Sequence, residues 1–260
     1  MAERSTTRRT LLIRGAAAFG AFSLSGCDRI IQSKFAHKAF ANVDALNRTT
    51  QEAILDQAAL APEYTRDDLS QLFYANGSTD PDDADYKKMV GERFASYKLV
   101  VDGLVEHPQQ LSLAELRALP TRTQITRHDC VEGWSCIGEW TGTPLAGVLD
   151  RAVLKSAARY VLFHCFDTMD DGDLSGPTPF YGSIDLAAAR HPQTILAYEM
   201  NGEPLPVKYG APLRVRVERQ LGYKMTKYIK RIELVDDFSK FGKGKGGYWE
   251  DNGYQWYAGI

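Results

Sequence analysis

Cysteine is scarce, with four in 260 residues, and their arrangement excludes one chemistry at once. No Cys-x-x-Cys-His run occurs, so no covalently attached c-type haem is expected. Long apolar runs are missing too. A spanning helix needs about 20 largely apolar residues, and no stretch supplies them, so no transmembrane helix is expected. Internal repeats are absent. Neither sign of charge is in excess: 31 Lys and Arg against 33 Asp and Glu leave a net −2. No general affinity for nucleic acid follows from that balance. What remains is an ordinary globular composition, 44% hydrophobic and 25% charged, long enough for a sizeable core in one large domain or two small ones.

The charge is unevenly placed. Residues 1–26 hold four Arg and one Glu, so the rest carries 27 basic against 32 acidic residues, or −5. Residues 204–231 carry eight Lys or Arg and one Glu, a cluster that suggests a local anion site. At the N-terminus, Thr7-Arg8-Arg9-Thr10-Leu11-Leu12 resembles a twin-arginine export signal. A short apolar stretch, Gly15 to Leu24, follows it and is too short to span a bilayer. Leu24-Ser25-Gly26-Cys27 then resembles a bacterial lipobox with Cys27 as the lipidated residue. The alternative is an ordinary amphipathic N-terminal helix. The export reading makes 1–26 a signal peptide. It expects a periplasmic protein, lipid-anchored through Cys27, with Asp28 favouring the inner membrane. Cys130, Cys136 and Cys165 are then left, an odd number, so at least one thiol of an exported protein stays unpaired.

Residues 27–66 read as a linker and a surface helix, the latter from Ala45 to Ala61 and ended by Pro62. The acidic run Asp80 to Asp85 reads as a solvated turn, with cation binding as the alternative. Tyr97 to Val101 predicts a strand. Ser112-Leu113-Ala114-Glu115 is a capping box that opens a short helix ending before Pro120. Thr123 to His128 predicts a strand, and Pro144 suits the first turn of a helix to about Val153. Further strands are predicted at Arg159 to Phe166, Thr194 to Met200 and Tyr228 to Val235. Asn201-Gly202 is a hairpin turn pair. Through Leu213 to Val217, apolar residues and Arg alternate, which predicts one buried face with Arg214 and Arg216 opposite. The sum is a mixed α/β (α+β) fold with many short strands, not a regular βαβ alternation.

The most informative stretch is Arg127-His128-Asp129-Cys130-Val131-Glu132-Gly133-Trp134, one cysteine between a strand and a turn. Trp140-Thr141-Gly142-Thr143-Pro144-Leu145 follows. Later come Asn201-Gly202-Glu203-Pro204-Leu205-Pro206 and Tyr209-Gly210-Ala211-Pro212-Leu213-Arg214. Together these resemble the sulfite oxidase family of molybdenum enzymes, over roughly residues 70–260. The resemblance implies the sulfite oxidase fold, an oxidoreductase molybdopterin-binding domain at 67–260 and a molybdenum-molybdopterin cofactor. The metal would take one protein thiolate, from Cys130; thiolate is a soft ligand, and a metal-bound thiol is deprotonated. A Cys130–Cys136 disulfide, or buried apolar thiols, are the alternatives. The Cys-Val-Glu run is closest to the branch holding the periplasmic methionine-sulfoxide reductase catalytic subunit. Ala197-Tyr198-Glu199-Met200-Asn201-Gly202 is nearer to true sulfite oxidases.

The same resemblance assigns cofactor contacts. Arg214 and Lys227 would hold the phosphate-bearing tail, with Met225 and Thr226 offering backbone groups; the alternative for each cation is a solvated strand charge. Asn76 is kept from the family's Arg-Asn-His run, here Ala75-Asn76-Gly77, but the substrate-binding Arg is absent. Tyr209 stands where relatives carry a pterin-touching His or Asn. His164 and Cys165 fall where relatives place a Thr or Ser beside the pterin, with a core histidine as the alternative for His164. His128 is expected to point into the same funnel. Tyr181 lies near the family's active-site Tyr, one position out of register. Arg127 is the candidate replacement for the missing cationic clamp. Glu132 and Trp134 read as supports of the Cys130 loop.

The expected activity is two-electron oxygen-atom transfer on a small substrate, with the cofactor carrying the chemistry. A separate redox partner, such as a cytochrome or haem membrane subunit, would exchange the electrons. Without the clamp, a neutral or less charged substrate is favoured over sulfite. Sulfite oxidation proper is one alternative. A cofactor-less lipoprotein reusing the fold as a binding module is another. Family sulfite oxidases often add an immunoglobulin-like dimerisation domain after this core; the chain ends at Ile260, so a monomer is expected.

Overall fold

The computed structural model describes residues 58–170 and 176–260, with single positions before them at 33, 43, 46 and 49–51. The twin-arginine run, Cys27 and most of the expected 45–61 helix lie outside the described residues. The chain divides into two compact units, 1–55 and 56–260, and the second holds both sheets, the core and the site.

The strands in chain order are β1 Lys98–Gly103, β2 Gln109–Ser112, β3 Arg122–Asp129, β4 Ser135–Pro144, β5 Tyr160–Met169, β6 Thr178–Asp185, β7 Ile195–Met200, β8 Glu203–Pro204, β9 Arg214–Arg216 and β10 Ile229–Val235. Within residues 58–260 the described α-helices are α1 Ala84–Gly91, α2 Leu113–Arg117, α3 Leu145–Ala152, α4 Leu186–Ala189 and α5 Tyr248–Asp251. One sheet runs β2-β1-β10-β5-β6, and the other runs β3-β4-β7-β8 with β9 also paired to β7. Only the β1–β10 pair is parallel among these. Such a mixture of short strands and helices is the mixed α/β architecture that the sequence predicts.

Apolar side chains of β1, β5 and β10 (Leu99, Val101, Val161, Phe163, Ile232, Leu234) join those of α3 (Leu145, Val148, Leu149) and Leu196 and Val215 of the second sheet in one core. Each such side chain stabilises the fold by roughly 1.5–3 kcal/mol through burial. Phe73, Trp140, Ile195, Ala197 and Met200 form a second cluster under the Cys130 loop. Among the described residues no helix is long and apolar enough to cross a membrane.

Local chemistry accounts for most boundaries. The Ser112 hydroxyl accepts from Glu115 N at 3.2 Å while Ser112 N donates to the Glu115 carboxylate at 2.8 Å, which closes the predicted capping box. Asn201 (φ 53°) and Gly202 (φ 79°) make the two-residue turn between β7 and β8. The acidic run is partly a helix start: Asp83 caps α1 by accepting from Tyr86 N at 2.8 Å. Strand β4 carries no clean alternation because seven consecutive residues, Ile137 to Thr143, are buried or half-buried on both faces. Gly142 is required there. A Cβ at that position would meet the Leu196 carbonyl oxygen at 2.3 Å, and backbone does not yield.

The Leu213–Val217 segment departs from its predicted two-faced character. Both faces are buried, with Arg214 4% and Arg216 0% exposed. The Arg face packs onto Trp140, whose ring lies 4.9 Å from the Arg214 guanidinium and 4.4 Å from that of Arg216.

Candidate active site

The β3–β4 hairpin presents Cys130. Cys130 N donates to Trp134 O at 2.9 Å, and Gly133 N donates to Cys130 O at 3.0 Å. Gly133 takes φ 89°, the left-handed region that favours glycine. Trp134 Nε1 donates to the Glu132 carboxylate at 2.9 Å, which ties down the loop after the cysteine. The Cys130 Sγ is buried and accepts from Asn76 Nδ2 at 3.2 Å. Burial pushes its pKa up, so without a metal it is a neutral thiol. Cys130, Cys136 and Cys165 are all free, which rules out the Cys130–Cys136 disulfide.

Cys130 opens into a cleft of about 740 Å³, counting its mouth, that also takes in Asn76, Asp167, Arg214, Thr226 and Lys227. Arg214 donates to the carbonyl oxygens of Tyr209 at 2.9 Å and Met225 at 3.3 Å, while its Nε has no partner. Lys227 Nζ donates to Asn76 O at 2.8 Å and to Ser78 O. Neither cation pairs with a carboxylate among the described residues. Arg216, two residues along the same strand, does: its Nε and Nη2 meet Glu218 at 2.8 and 2.6 Å. Burial, and then repulsion between neighbours, lowers Arg214 to about 9 and Lys227 to about 7. Two desolvated cations and an orphaned N–H in one cleft form a site preorganised for an anion. Among the described residues no three His, Cys, Asp or Glu side chains gather to hold a metal. A metal in this cleft would therefore need most of its ligands from elsewhere than the protein. The donor set fits a soft metal carried by an organic dithiolene with a phosphate-bearing tail.

The structure brings six of the sequence-predicted residues to the cleft: Asn76, Cys130, Arg214, Met225, Thr226 and Lys227. Arg127 lies elsewhere. It faces outward on β3 and pairs with Asp129 at 2.8 Å, because strand neighbours alternate and His128 takes the inward side. Buried His128 is wedged between Arg216 Nη1, 3.0 Å from its Nδ1, and Gly222. Only glycine lets the turn Gly222–Lys224 lie on that ring, since a Cβ would come within 2.3 Å. Tyr181 is turned toward α5, donating to Asp251 at 2.6 Å and Phe241 O at 3.0 Å. His164 lies against Glu233 at 2.8 Å, and its neighbour Cys165 points into the opposite, buried side of β5. The Tyr209 hydroxyl donates to Phe73 O at 2.7 Å, while its carbonyl holds Arg214. Sequence reasoning missed Asp167, Phe180, Tyr223, Trp249 and Tyr254, all on the cleft wall. No local motif marks them. They converge from β5, β6, the turn at Gly222–Lys224, α5 and the segment after α5.

Asp167 is buried, at 3% exposure, and its Oδ1 has no partner. Burial raises its pKa to about 7 from 3.8. In the folded state its extra proton binding makes stability fall as pH climbs from about 4 to about 7. Lys227, lowered to about 7 from 10.5, acts oppositely and restores stability as pH rises further. Urea unfolding of cofactor-free protein should therefore find Asp167→Asn no different from wild type near pH 4. Above about pH 7 the variant should be more stable, by roughly 1 kcal/mol or more. A constant difference at all pH values would contradict the assignment.

These features suit one class: an oxidoreductase whose organic cofactor would be held by one thiol and a pair of buried cations. Residues 87–241 match the oxidoreductase molybdopterin binding domain family. The chain belongs to that family, and the protein is a molybdopterin-dependent oxidoreductase. It is 36% identical over 252 residues to a protein of Azospira oryzae carrying the provisional name protein-methionine-sulfoxide reductase subunit YedZ1, spanning 97% of this chain and 87% of that one. It is 35% identical over 186 residues to the protein-methionine-sulfoxide reductase catalytic subunit MsrP of Xanthomonas campestris, covering 68% of this chain and 56% of the relative. The MsrP of Ralstonia nicotianae is 34% identical over 169 residues. The chain spans about half the length of these MsrP relatives, 56% and 50%. The sulfane dehydrogenase SoxCD of Paracoccus pantotrophus overlays with a TM-score of 0.46 at 23% identity, over 54% of this chain and 38% of that one.

Proposed function

We propose that this protein is the catalytic subunit of a periplasmic methionine-sulfoxide reductase. The observation that carries the reading is the Cys130 thiol opening into a cleft whose only lining cations, among the described residues, are Arg214 and Lys227. When bound, the molybdenum-pterin group supplies two-electron oxygen-atom transfer. Cys130 would ligate the metal, and Asn76 Nδ2 would donate to its thiolate. Arg214, Lys227 and the backbone of Met225 and Thr226 would hold the tail.

Charge favours a neutral sulfoxide. Both cleft cations are committed to the tail in this reading, and Arg127 is paired to Asp129 away from the cleft. A sulfite dianion would enter a partly buried site without a clamp of its own, at a cost of several kcal/mol. The relatives' names speak of subunits, which supports a separate electron-donating partner, here taken as a haem-bearing membrane subunit. Export by the twin-arginine signal and anchoring through Cys27 complete the proposal; globomycin sensitivity of processing and a Cys27→Ala variant would check the anchor.

The test is substrate choice by the loaded enzyme. Reduced with a viologen dye, it should be reoxidised by methionine sulfoxide. Oxidised enzyme should not be bleached by sulfite. Rapid bleaching by sulfite, with no response to the sulfoxide, would replace this reading with sulfite oxidation.

A further inference from the structure

Asp167 is a buried carboxyl that no step above uses. It sits in an irregular part of β5. Between His164 and Thr168 the strand carries two more residues than β6 does between Tyr181 and Pro179. A bulge of this kind interrupts the ladder and re-aims side chains, and bulges recur beside active sites. Here it sets a carboxyl into the wall of the cleft, beside Met169, Phe180 and Trp249. Leaving a buried oxygen unsatisfied is costly, so the fold tolerates a defect at a cleft that already holds two cations without carboxylates.

We infer that Asp167 serves as a neutral carboxylic acid, donating a hydrogen bond to the anionic tail held by Arg214 and Lys227, so that binding the anion takes up a proton at this residue. The inference rests on the proposed tail site. The balance is simple: the Asp167 carboxylate gains one proton from solvent, no bond of the anion breaks, and the acid O–H points at an anion oxygen. An ionised Asp167 would repel that anion. A protonated one adds a donor where a low-dielectric wall strengthens it. The charged and titratable groups within its electrostatic reach are Lys227 and Lys230, the phenols of Tyr86 and Tyr228, and the thiol of Cys165. Glu132 and Arg214 line the same cleft. Burial raises Asp167 to about 7, so the proton is available near neutrality.

The test uses full-length protein from a host that does not make the cofactor. Sodium sulfate is the probe, a dianion of constant charge across neutrality. Calorimetric titrations in two buffers of different ionisation heat, at about pH 6 and about pH 8.5, give affinity and proton uptake together. Wild type should bind sulfate about tenfold more weakly at the higher pH, with net proton uptake. Asp167→Asn, neutral and still a donor, should bind about tenfold more tightly than wild type at the higher pH and take up fewer protons. Lys227 titrates in the same direction, so the difference between the two proteins is the readout. Asp167→Ala, with no donor, should bind more weakly than Asp167→Asn at both pH values. Identical profiles for wild type and Asp167→Asn would overturn the inference, and equal binding by Asn and Ala would overturn the hydrogen bond. Wild type that ignores sulfate at both pH values, yet carries molybdenum when made with the cofactor, would overturn this inference and leave the enzyme reading standing. Absence of molybdenum as well would remove both.

Discussion

Cys130→Ser protein is expected to fold normally and to lose both its molybdenum and its activity. The thiol and the hydroxyl differ little as guests of the loop. Sγ accepts from Asn76 Nδ2 at 3.2 Å and from the backbone N–H groups of Val131 and Glu132, and a serine oxygen accepts those as well. As ligands they differ sharply. A thiolate is soft and forms readily on a metal, whereas a serine hydroxyl is hard and resists deprotonation. Removing even groups that only orient a ligand costs about 10–100-fold in metal affinity or activity, so removing the ligand itself should exceed that range. Elemental analysis of the purified wild type beside the variant, with circular dichroism on both, separates loss of metal from loss of fold. Stoichiometric molybdenum in wild type alone is the expected result. Full activity in the variant would remove Cys130 from the metal, and metal-free wild type from a cofactor-making host would favour the bare binding-module reading.

Arg216→Met is expected to be the most destabilising single change near the site, by roughly 3–5 kcal/mol. Arg216 and Glu218 are fully buried, and their side chains are 0% exposed. Glu218 otherwise keeps one donor, Gln124 Nε2 at 2.8 Å. Removing the guanidinium leaves a desolvated carboxylate with that single amide, and it also removes one of the two partners of His128 Nδ1, the other being Met225 Sδ at 3.2 Å. The companion change Glu218→Leu should recover most of the loss in the double variant, because the penalty lies in the unpaired charge. Arg214→Met is the control. Arg214 leaves no carboxylate behind, and its own burial is costly, as its lowered pKa near 9 records. Cofactor-free Arg214→Met should therefore be about as stable as wild type, or slightly more so, while retaining less cofactor. Urea unfolding of the cofactor-free set measures the first part, and molybdenum content measures the second. Equal destabilisation by both Arg changes would mean that the two guanidiniums have the same task.

The contrast between these neighbours shows where sequence stops. Arg214 and Arg216 share a strand face, an alternation and a charge, and nothing in Leu213 to Val217 tells them apart. Their tasks diverge because Glu218 lies beside one and the cleft beside the other. Likewise the thiols: the turn residues after Cys130 mark it, but only the closed fold shows that the Cys136 thiol donates a hydrogen bond to Leu72 O, at 3.5 Å, and forms no disulfide with Cys130.

What the chain determined by itself is local chemistry. The Ser112–Glu115 box, the Asn201-Gly202 turn, the alternation of β3 and the basic cluster at 204–231 are each decided by residues a few positions apart. The tertiary structure decided whatever needed two distant segments. Strand β4 is buried on both faces, so its residues carry no period of two to read. Arg127, Tyr181 and His164 have the right residue types, but strand parity and the closing C-terminal segment turn them from the cleft. Asp167 enters the cleft only because β5 bulges against β6. Whether a buried charge has a partner depends on long-range packing, and packing across 50 to 150 positions leaves no pattern in a single sequence, as Asn76 meeting Cys130 and Lys227 meeting Asn76 illustrate with separations of 54 and 151 residues.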